Sequence, residues 1–181
     1  MTTRSPYLRL ATRDDASSLL RLIIELAEFE RLTPPGAEAQ ARRCEDAFGA
    51  TPRFEAWLAF VEEEPEPVGY AIFLETYSSF LARPTLYIED VFVQQDFRKQ
   101  GIGRALLHKA VQLAYERGCG RVEWTALDWN VHAQRVYEEN MGARRMEEWL
   151  LYRMTSEDMV AFLDRSAKRH TSDSGPPLRQ S

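Results

Sequence analysis

The chain has 181 residues, of which 44% are hydrophobic and 28% are charged, so it can bury the core of one ordinary domain and is not a mainly disordered chain. Lys and Arg number 23 against 28 Asp and Glu, a net charge of −5, which argues against a nucleic-acid partner because such proteins carry a basic stripe. No apolar run approaches the roughly 20 residues that cross a bilayer, and MTTRSPYLRLATRDD contains no signal segment. We therefore expect no membrane partner and a cytoplasmic location.

Two cysteines, Cys44 and Cys119, are too few for a disulfide framework or a zinc site, so we expect no metal.

The N-terminal half alternates strand-like and helix-like patterns. Thr12, with Asp15 three residues later, predicts a helix start, and Leu19, Ile23 and Leu26 then recur at helical spacing. In chain order we predict a strand at 7–10, a helix that reaches Phe29, a break at 33–36, a more polar helix at about 37–48, and strands at 56–61 and 68–76 joined by a hairpin turn at 62–67.

The C-terminal half continues this alternation. We predict strands at 86–93, 121–127 and 150–154, and helices at 101–117, 131–140 and 156–163, with Gly118 as a C-cap. Strands interleaved with helices predict one mixed α/β domain, which we assign to residues 1–166. Residues 167–181 contain a single large apolar residue, Leu178, and are predicted to be a disordered tail.

One segment, residues 86–107, has the pattern of a phosphate-binding turn. A predicted strand runs into a polar turn with Gly101 and Gly103, and a predicted helix follows. Glycines let the backbone approach a ligand closely, and a helix start offers unpaired N–H groups to an anion. Arg98, Lys99 and Arg104 add three positive charges. The segment therefore predicts a cradle for a pyrophosphate group.

Two common nucleotide-binding motifs fit this turn poorly. A Walker P-loop requires Gly-Lys followed by Ser or Thr, whereas Arg104 and then Ala105 follow Gly103. A dinucleotide fingerprint requires a third glycine where Leu106 stands. A different phosphate-binding motif is therefore needed to explain the turn.

The pattern Arg-x-x-Gly-x-Gly, from Arg98 to Gly103, resembles the coenzyme A motif of the GNAT superfamily of N-acetyltransferases. The resemblance extends from Tyr7 to about Leu163, through YIEDVFV, FRKQGIG and LDWNVHAQRVYEENMGA. These stretches look most like the branch of diamine (spermidine/spermine) and thialysine N-acetyltransferases. The resemblance implies the GNAT fold, a single α/β (mixed α+β) domain with a central, mostly antiparallel, splayed sheet flanked by helices.

The same resemblance implies acetyl-CoA as the acyl donor, with coenzyme A as product. Its pantetheine arm is expected to pair with the backbone of residues 91–93 like an extra strand, while residues 130–133 line its other side. The cofactor-binding residues implied by the resemblance are Val91, Phe92, Val93, Arg98, Lys99, Gln100, Gly101, Ile102, Gly103, Arg104, Asn130, Val131, His132, Ala133 and Tyr137.

Two residues are expected to be catalytic. An alkyl ammonium has a pKa of about 10.4, so a carboxylate that binds the cation and accepts its proton assists the reaction; the resemblance implies Glu89 in this role. A tyrosine at the position of Tyr137 is the family's general acid toward the departing thiolate. The family transfers acetyl directly within a ternary complex, and no His–acid pair supports an acyl-cysteine at Cys119.

The substrate-binding residues implied by the resemblance are Phe29, Glu30 and Glu89. Ser78 stands where polyamine-specific members carry an acid, which favours a thialysine- or lysine-like amine, or a short diamine, over long polyamines. The spacing drifts near Glu147 and Glu148, so these acids receive no role. The branch also implies a homodimer.

Two alternatives stay open at this point. One is a GNAT enzyme that acetylates another amine, such as an amino acid, an aminoglycoside or a protein N-terminus. The other is a non-catalytic acyl-CoA-binding module that has kept the fold. The presence of both Glu89 and Tyr137 speaks against the second alternative.

Overall fold

The computed structural model describes residues 6–62 and 64–172, and in its first unit, which ends at Leu127, the described residues form one five-stranded sheet. The strands lie in chain order, and every neighbouring pair is antiparallel except the last, which is parallel. They are β1 (Tyr7–Leu10), β2 (Glu55–Phe60), β3 (Gly69–Ser78), β4 (Arg83–Val93) and β5 (Arg121–Trp124). The expected mixed α/β fold with a mostly antiparallel sheet is confirmed.

Three helices accompany this sheet: α1 (Ala16–Phe29), α2 (Ala37–Phe48) and α3 (Ile102–Glu116). A short 3-10 turn, Arg13–Asp15, leads into α1 and carries the predicted cap. The Thr12 amide donates to Asp15 Oδ2 at 2.7 Å, and both terminal nitrogens of Arg9 reach the same carboxylate at 2.7 Å. Arg9 therefore holds the pKa of Asp15 far below its usual value. This pairing fixes where α1 begins.

The two faces of the sheet are covered by different helices. On one face, Leu19, Leu22 and Ile23 of α1 pack with alternate residues of β2 and β3, such as Leu58 and Tyr70. Helix α3 contacts β2, β3 and β4; its buried residues are Ile102, Leu106, Leu107, Ala110 and Ala114. The sheet is thus an internal layer, and β4 is in contact with the helix that follows the polar turn.

Strand β4 contains a bulge. Its register against β3 runs Tyr70–Phe92 and Ile72–Asp90, and then shifts so that Phe73 faces Ile88. Glu89 is therefore the extra residue, opposed by none of β3. Ile88 and Asp90 consequently lie on opposite faces of the sheet, because paired residues share a face.

The second unit begins at Asp128 and contains α4 (Val131–Arg135), a π-helical turn (Val136–Asn140) and α5 (Ser156–Ser172). The predicted helix at 131–140 is confirmed in this two-part form. The strand predicted at 150–154 is wrong: these residues are irregular, and no described strand pairs with their backbone groups. Helix α5 extends past its predicted end into the first residues of the predicted tail, and residues 173–181 lie outside the described part of the chain.

Candidate active site

The bulge in β4 places two adjacent carboxylates differently. Glu89 is exposed, whereas Asp90 is partly buried on the sheet face that α1 covers. The Tyr70 hydroxyl, on the neighbouring strand, donates a 3.1 Å hydrogen bond to Asp90 Oδ2. A regular strand would place the two acids on opposite faces, but the extra residue leaves Glu89 facing solvent and Asp90 facing the core.

The pKa of Asp90 is raised to about 6, chiefly by burial and also by the nearby charges of Glu89 and Glu30, while the hydrogen bond from Tyr70 and the charge of Arg43 lower it. The pKa of Tyr70 lies well above its usual value, chiefly because the ring is fully buried and also because its hydroxyl faces Asp90. Of these groups, Tyr70 on β3 and Asp90 on β4 are in direct contact, through their hydrogen bond. Sequence reasoning missed Tyr70 and Arg43 and gave Asp90 no chemical role.

The end of α1 supplies two of the predicted substrate-binding residues. Phe29 is the last residue of the helix and Glu30 is its C-cap, followed by Arg31 with a positive φ of 59°. Burial raises the pKa of Glu30. The charge of Glu30 in turn raises the pKa of Asp90, and the substrate-binding role of Phe29 and Glu30 stays a prediction.

The turn between β4 and α3 has the backbone predicted for a phosphate cradle. Lys99 and Gly101 both have positive φ, 62° and 85°, and α3 begins at Ile102 directly afterwards. A Cβ atom at Gly101 would meet nothing within 4 Å, and one at Gly103 would lie 3.8 Å from Val93 Cγ2. The first N–H groups of α3 have no acceptor within the helix, and Lys99 and Arg104 are exposed beside them. These groups fit the phosphates of coenzyme A.

Arg98, the first residue of the motif, points back into the protein. Its Nε donates to the carbonyl of Val93 at 2.8 Å, and its guanidinium carbon lies 4.5 Å from the ring centre of Phe29 and 5.6 Å from that of Phe92. The side chain of Ile102 is likewise part of the core, at 1% exposure. The predicted contacts of Arg98 and Ile102 with acetyl-CoA remain predictions.

The sheet opens beside the bulge. Strand β5 pairs with β4 only from Thr85 to Ile88, and no described residue continues the ladder along residues 89–93 on that edge. A bulge ends pairing in this way. The exposed backbone edge fits the strand-like pairing predicted for the pantetheine arm at residues 91–93.

The second unit holds the remaining predicted site residues. The Asn130 side chain accepts a hydrogen bond from the Ala133 amide at 3.3 Å, which confirms it as the cap of α4. Tyr137 lies in the π-helical turn, and its carbonyl accepts from the Ala143 amide at 3.0 Å. Such turns are frequent at functional sites. The other predicted residues of this unit, Val131 and His132, open α4.

Among the described residues, no group of three or more His, Cys, Asp or Glu side chains is arranged to hold a metal ion. None of the helices in the described ranges is long and apolar enough to span a bilayer.

Comparison with known proteins identifies the family. Residues 18–143 match the acetyltransferase (GNAT) family. The chain is 34% identical to a thialysine N-epsilon-acetyltransferase of Bos taurus over 84% of this chain and 94% of that protein. It is 31% identical to an L-ornithine N5-acetyltransferase of Arabidopsis thaliana over 86% of each. Spermidine/spermine N(1)-acetyltransferase-like protein 1 of Homo sapiens is 31% identical over 84% of this chain and only 23% of that protein.

Solved structures show the same fold. An integron cassette protein from V. cholerae superposes with a TM-score of 0.75 at 20% identity, covering 88% of this chain and 98% of its own. AAC(6')-Iy, solved with the bisubstrate analogue CoA-S-monomethyl-acetylneamine, gives a TM-score of 0.65 at 18% identity, covering 83% of this chain and 99% of its own. The chain belongs to the acetyltransferase (GNAT) family, which uses acetyl-CoA as its acyl donor, and is an N-acetyltransferase.

Proposed function

We propose that the acceptor is the primary amine of a small molecule, either a thialysine- or lysine-like amine or a short diamine. The observation that carries this proposal is the set of acids at the bulge, Glu89, Asp90 and Glu30, next to the open edge of β4. Carboxylates bind an alkyl ammonium and can take its proton. The names of the thialysine and ornithine acetyltransferases among the relatives support the same class of substrate.

Glu89 acts as the base in this proposal. It is exposed at the bulge, so it can bind the ammonium of the substrate and accept its proton, directly or through a water molecule. The neutral nitrogen then attacks the carbonyl carbon of the thioester that acetyl-CoA supplies. The new C–N bond forms, the C–S bond breaks and its electron pair leaves with sulfur, and the nitrogen gives up its second proton through water to the tyrosinate that Tyr137 becomes, which restores the phenol.

Tyr137 acts as the general acid and gives its phenolic proton to the departing sulfur. The resemblance of Asn130 and Tyr137 to the family motif supports this role, and the capping of α4 by Asn130 supports the local structure that the motif requires. Transfer is direct, in a ternary complex. The thiol of Cys119 has a pKa raised chiefly by burial, which makes it a poor nucleophile.

Ser78 supports a lysine-like acceptor over a long polyamine. Its side chain is 5% exposed and its Oγ accepts from the Leu81 amide at 3.3 Å, so it shapes the turn after β3. Because a serine stands here, the site has no carboxylate at this position to bind the second or third ammonium group of a long polyamine. We also propose a homodimer, which rests on the family resemblance and which size-exclusion chromatography tests.

Release of free thiol from acetyl-CoA tests the proposed function. The acceptors compared are thialysine, lysine, ornithine, putrescine, spermidine, spermine, glucosamine and a short peptide. Preference for a lysine-like amine or a short diamine is expected. Preference for glucosamine or the peptide would replace this acceptor class with another, and binding of coenzyme A without any product would favour a non-catalytic module.

A further inference from the structure

The two adjacent acids of β4 would exchange places if its bulge moved by one residue. In the structure Asp90 faces Ile72 of β3 on the face that α1 covers, called the core face below, and Glu89 is the unopposed residue. If the bulge moved to Asp90, Glu89 would face Ile72 instead, while the pairs on either side would stay as they are. The position of the bulge therefore decides which carboxylate is exposed at the edge of the sheet.

A move of the bulge in the other direction is opposed by the core. Ile88 is buried opposite Phe73 on the other face of the sheet. A bulge at Ile88 would expose this side chain and place the carboxylate of Glu89 opposite Phe73, and both changes are costly. No such difference separates Glu89 from Asp90, because both are carboxylic acids. The choice between these two depends on what the core face offers a carboxylate.

The core face offers the hydroxyl group of Tyr70. Tyr70 is fully buried, faces Phe92 in the ladder between β3 and β4, and is the diagonal neighbour of Asp90 on the same face. Its hydroxyl donates to Asp90 Oδ2 at 3.1 Å. The ring has Leu58 of β2 opposite it on one side and Phe92 on the other, with the Phe92 ring centre 6.2 Å away. These neighbours fix the direction in which the hydroxyl points.

A glutamate in the place of Asp90 would fit this hydroxyl less well. Its carboxylate lies one methylene group further from the backbone than that of an aspartate. The close packing of a protein interior leaves a fully buried ring such as Tyr70 no room to retreat. Since a buried carboxylate without a donor is costly, the Tyr70 hydroxyl favours Asp90 over Glu89 as the acid on the core face.

We propose that Tyr70 is a positioning residue: by binding Asp90 on the core face, its hydroxyl holds the bulge of β4 at Glu89 and so presents Glu89 to the amine. This inference rests on the proposed function, in which Glu89 is the base, and adds a residue to it. Tyr70 acts through Asp90 and the backbone of β4, and no bond to a substrate forms or breaks at its hydroxyl.

Nuclear Overhauser contacts of the ring at position 70 test where the bulge lies. In the unaltered protein the ring protons of Tyr70 should contact the side-chain methylene of Asp90. A phenylalanine keeps these ring protons, so Tyr70→Phe should add a second set of contacts, to the side chain of Glu89. Loss of a hydrogen bond to a charged group changes an equilibrium roughly tenfold to a hundredfold, and we expect the second set to become comparable to the first. The exposed Tyr115 is the control, because Tyr115→Phe should leave a single set.

Steady-state kinetics tests the consequence for catalysis. Only molecules with the bulge at Glu89 present the base, so kcat of Tyr70→Phe should fall by the same factor as the fraction of molecules that keep the original contacts, about twofold to tenfold. KM for acetyl-CoA should not change, because the turn that follows β4 keeps its sequence and its register. A merely structural role of Tyr70 would lower the melting temperature without a second set of contacts.

The variant Asp90→Leu separates the hydrogen bond from the packing of the ring. It puts an apolar residue on the core face, so Glu89 is then the unopposed residue whether or not Tyr70 carries a hydroxyl. In the Asp90→Leu background, Tyr70→Phe should therefore change neither the contacts nor kcat. Two apolar partners can replace a buried hydrogen-bonded pair at little cost, so this comparison decides even if Tyr70→Phe alone does not fold. A loss of kcat on adding Tyr70→Phe to that background would overturn the inference.

Two results with Tyr70→Phe alone would also overturn the inference. One is a single, original set of contacts, at any value of kcat, and the other is a second set with kcat unchanged. Failure of the proposed function looks different, because the unaltered enzyme would then acetylate no small amine. In that case the contacts of the ring with Asp90 and Glu89 still decide whether Tyr70 holds the bulge.

Discussion

The guanidinium carbon of Arg98 lies 4.5 Å from the ring centre of Phe29. The first residue of the turn at residues 98–103, which is predicted to bind the acetyl donor and is called the donor turn below, thus lies against the last residue of α1. The Nε of the same arginine holds the Val93 carbonyl at the end of β4. A cation over an aromatic ring contributes about 0.5–2 kcal/mol depending on its exposure. Arg98 therefore connects the turn that is predicted to bind acetyl-CoA to the helix end that carries the proposed amine-binding residues.

Replacement of Arg98 by leucine should weaken the binding of both substrates. Loss of the stacking and of the bond to Val93 frees the donor turn and the end of α1 together, and we expect KM for acetyl-CoA and for the amine each to rise roughly threefold to tenfold. The exposed Arg104 is the comparison, because Arg104→Ala should raise KM for acetyl-CoA alone. Steady-state kinetics with each substrate varied in turn gives the answer, and an effect of Arg98→Leu on acetyl-CoA alone would contradict the connection.

Gly103→Val should act on the donor and leave the fold intact. A Cβ at this position lies 3.8 Å from Val93 Cγ2, an ordinary contact, so the chain itself has room for a side chain. A ligand phosphate at the start of α3 would not have that room. We expect KM for acetyl-CoA to rise, with KM for the amine and the melting temperature nearly unchanged. A parallel fall in melting temperature would instead indicate a folding defect.

Tyr137→Phe should lower kcat by about a hundredfold or more, since general acid–base groups contribute roughly 10² to 10⁴. The substitution removes only the hydroxyl, so binding of acetyl-CoA measured by calorimetry should stay the same. Tyr115→Phe on α3 is the matched control, because this tyrosine is 88% exposed, and it should leave kcat unchanged. Wild-type turnover in Tyr137→Phe would remove this residue from the mechanism.

Asp90 should make the stability of the protein depend on pH. Its pKa is raised from 3.8 to about 6 in the folded state, so between about pH 4 and pH 6 the folded protein binds more protons than the unfolded chain. Stability from this group is therefore greatest below that interval, falls as the pH rises through it, and stays lower above it. The free energy of unfolding of the wild type minus that of Asp90→Asn, from urea denaturation, should decline across this interval.

The variant Tyr70→Phe tests how the hydrogen bond to Asp90 affects the same pH dependence of the free energy of unfolding. The hydroxyl stabilises the charged form of Asp90 and so lowers its pKa; without it, the decline should extend to higher pH. Carbon-13 NMR titration of the aspartate carboxyl measures the shift directly. An unchanged Asp90 pKa in Tyr70→Phe would mean that the hydrogen bond has no electrostatic consequence.

Local signals predicted much of the fold. The box of Thr12 and Asp15 marks the start of the α1 region, the predicted bounds of α2 match at both ends, and the turn at Gly101 lies where the glycine spacing put it. These features depend on residues within a few positions of one another, so the sequence contains them. The strand predicted at 150–154 is wrong because an apolar run becomes a strand only if another strand pairs with it.

The bulge in β4 and the environment of Arg43 could not be predicted from the sequence either. The bulge at Glu89 depends on how β4 pairs with β3, which no local pattern records. Arg42 and Arg43 are adjacent and chemically identical, yet only one contains a buried, unpartnered nitrogen. The polar pattern of α2 predicts solvent exposure for both arginines. Which of the two is partly buried depends on tertiary packing, and the sequence of the helix alone does not predict it.

The one-residue bulge also defines how this enzyme could lose its activity while keeping its fold. Because Ile88 already faces Phe73 and Asp90 already faces Ile72, an in-frame deletion of codon 89 would let β4 run as a regular strand with the same neighbours. The core residues would keep their places, the ladder to β5 could extend toward Val93, and the proposed base would be gone. A single deletion event thus separates this enzyme from a protein of the same fold that lacks both the bulge and the proposed base.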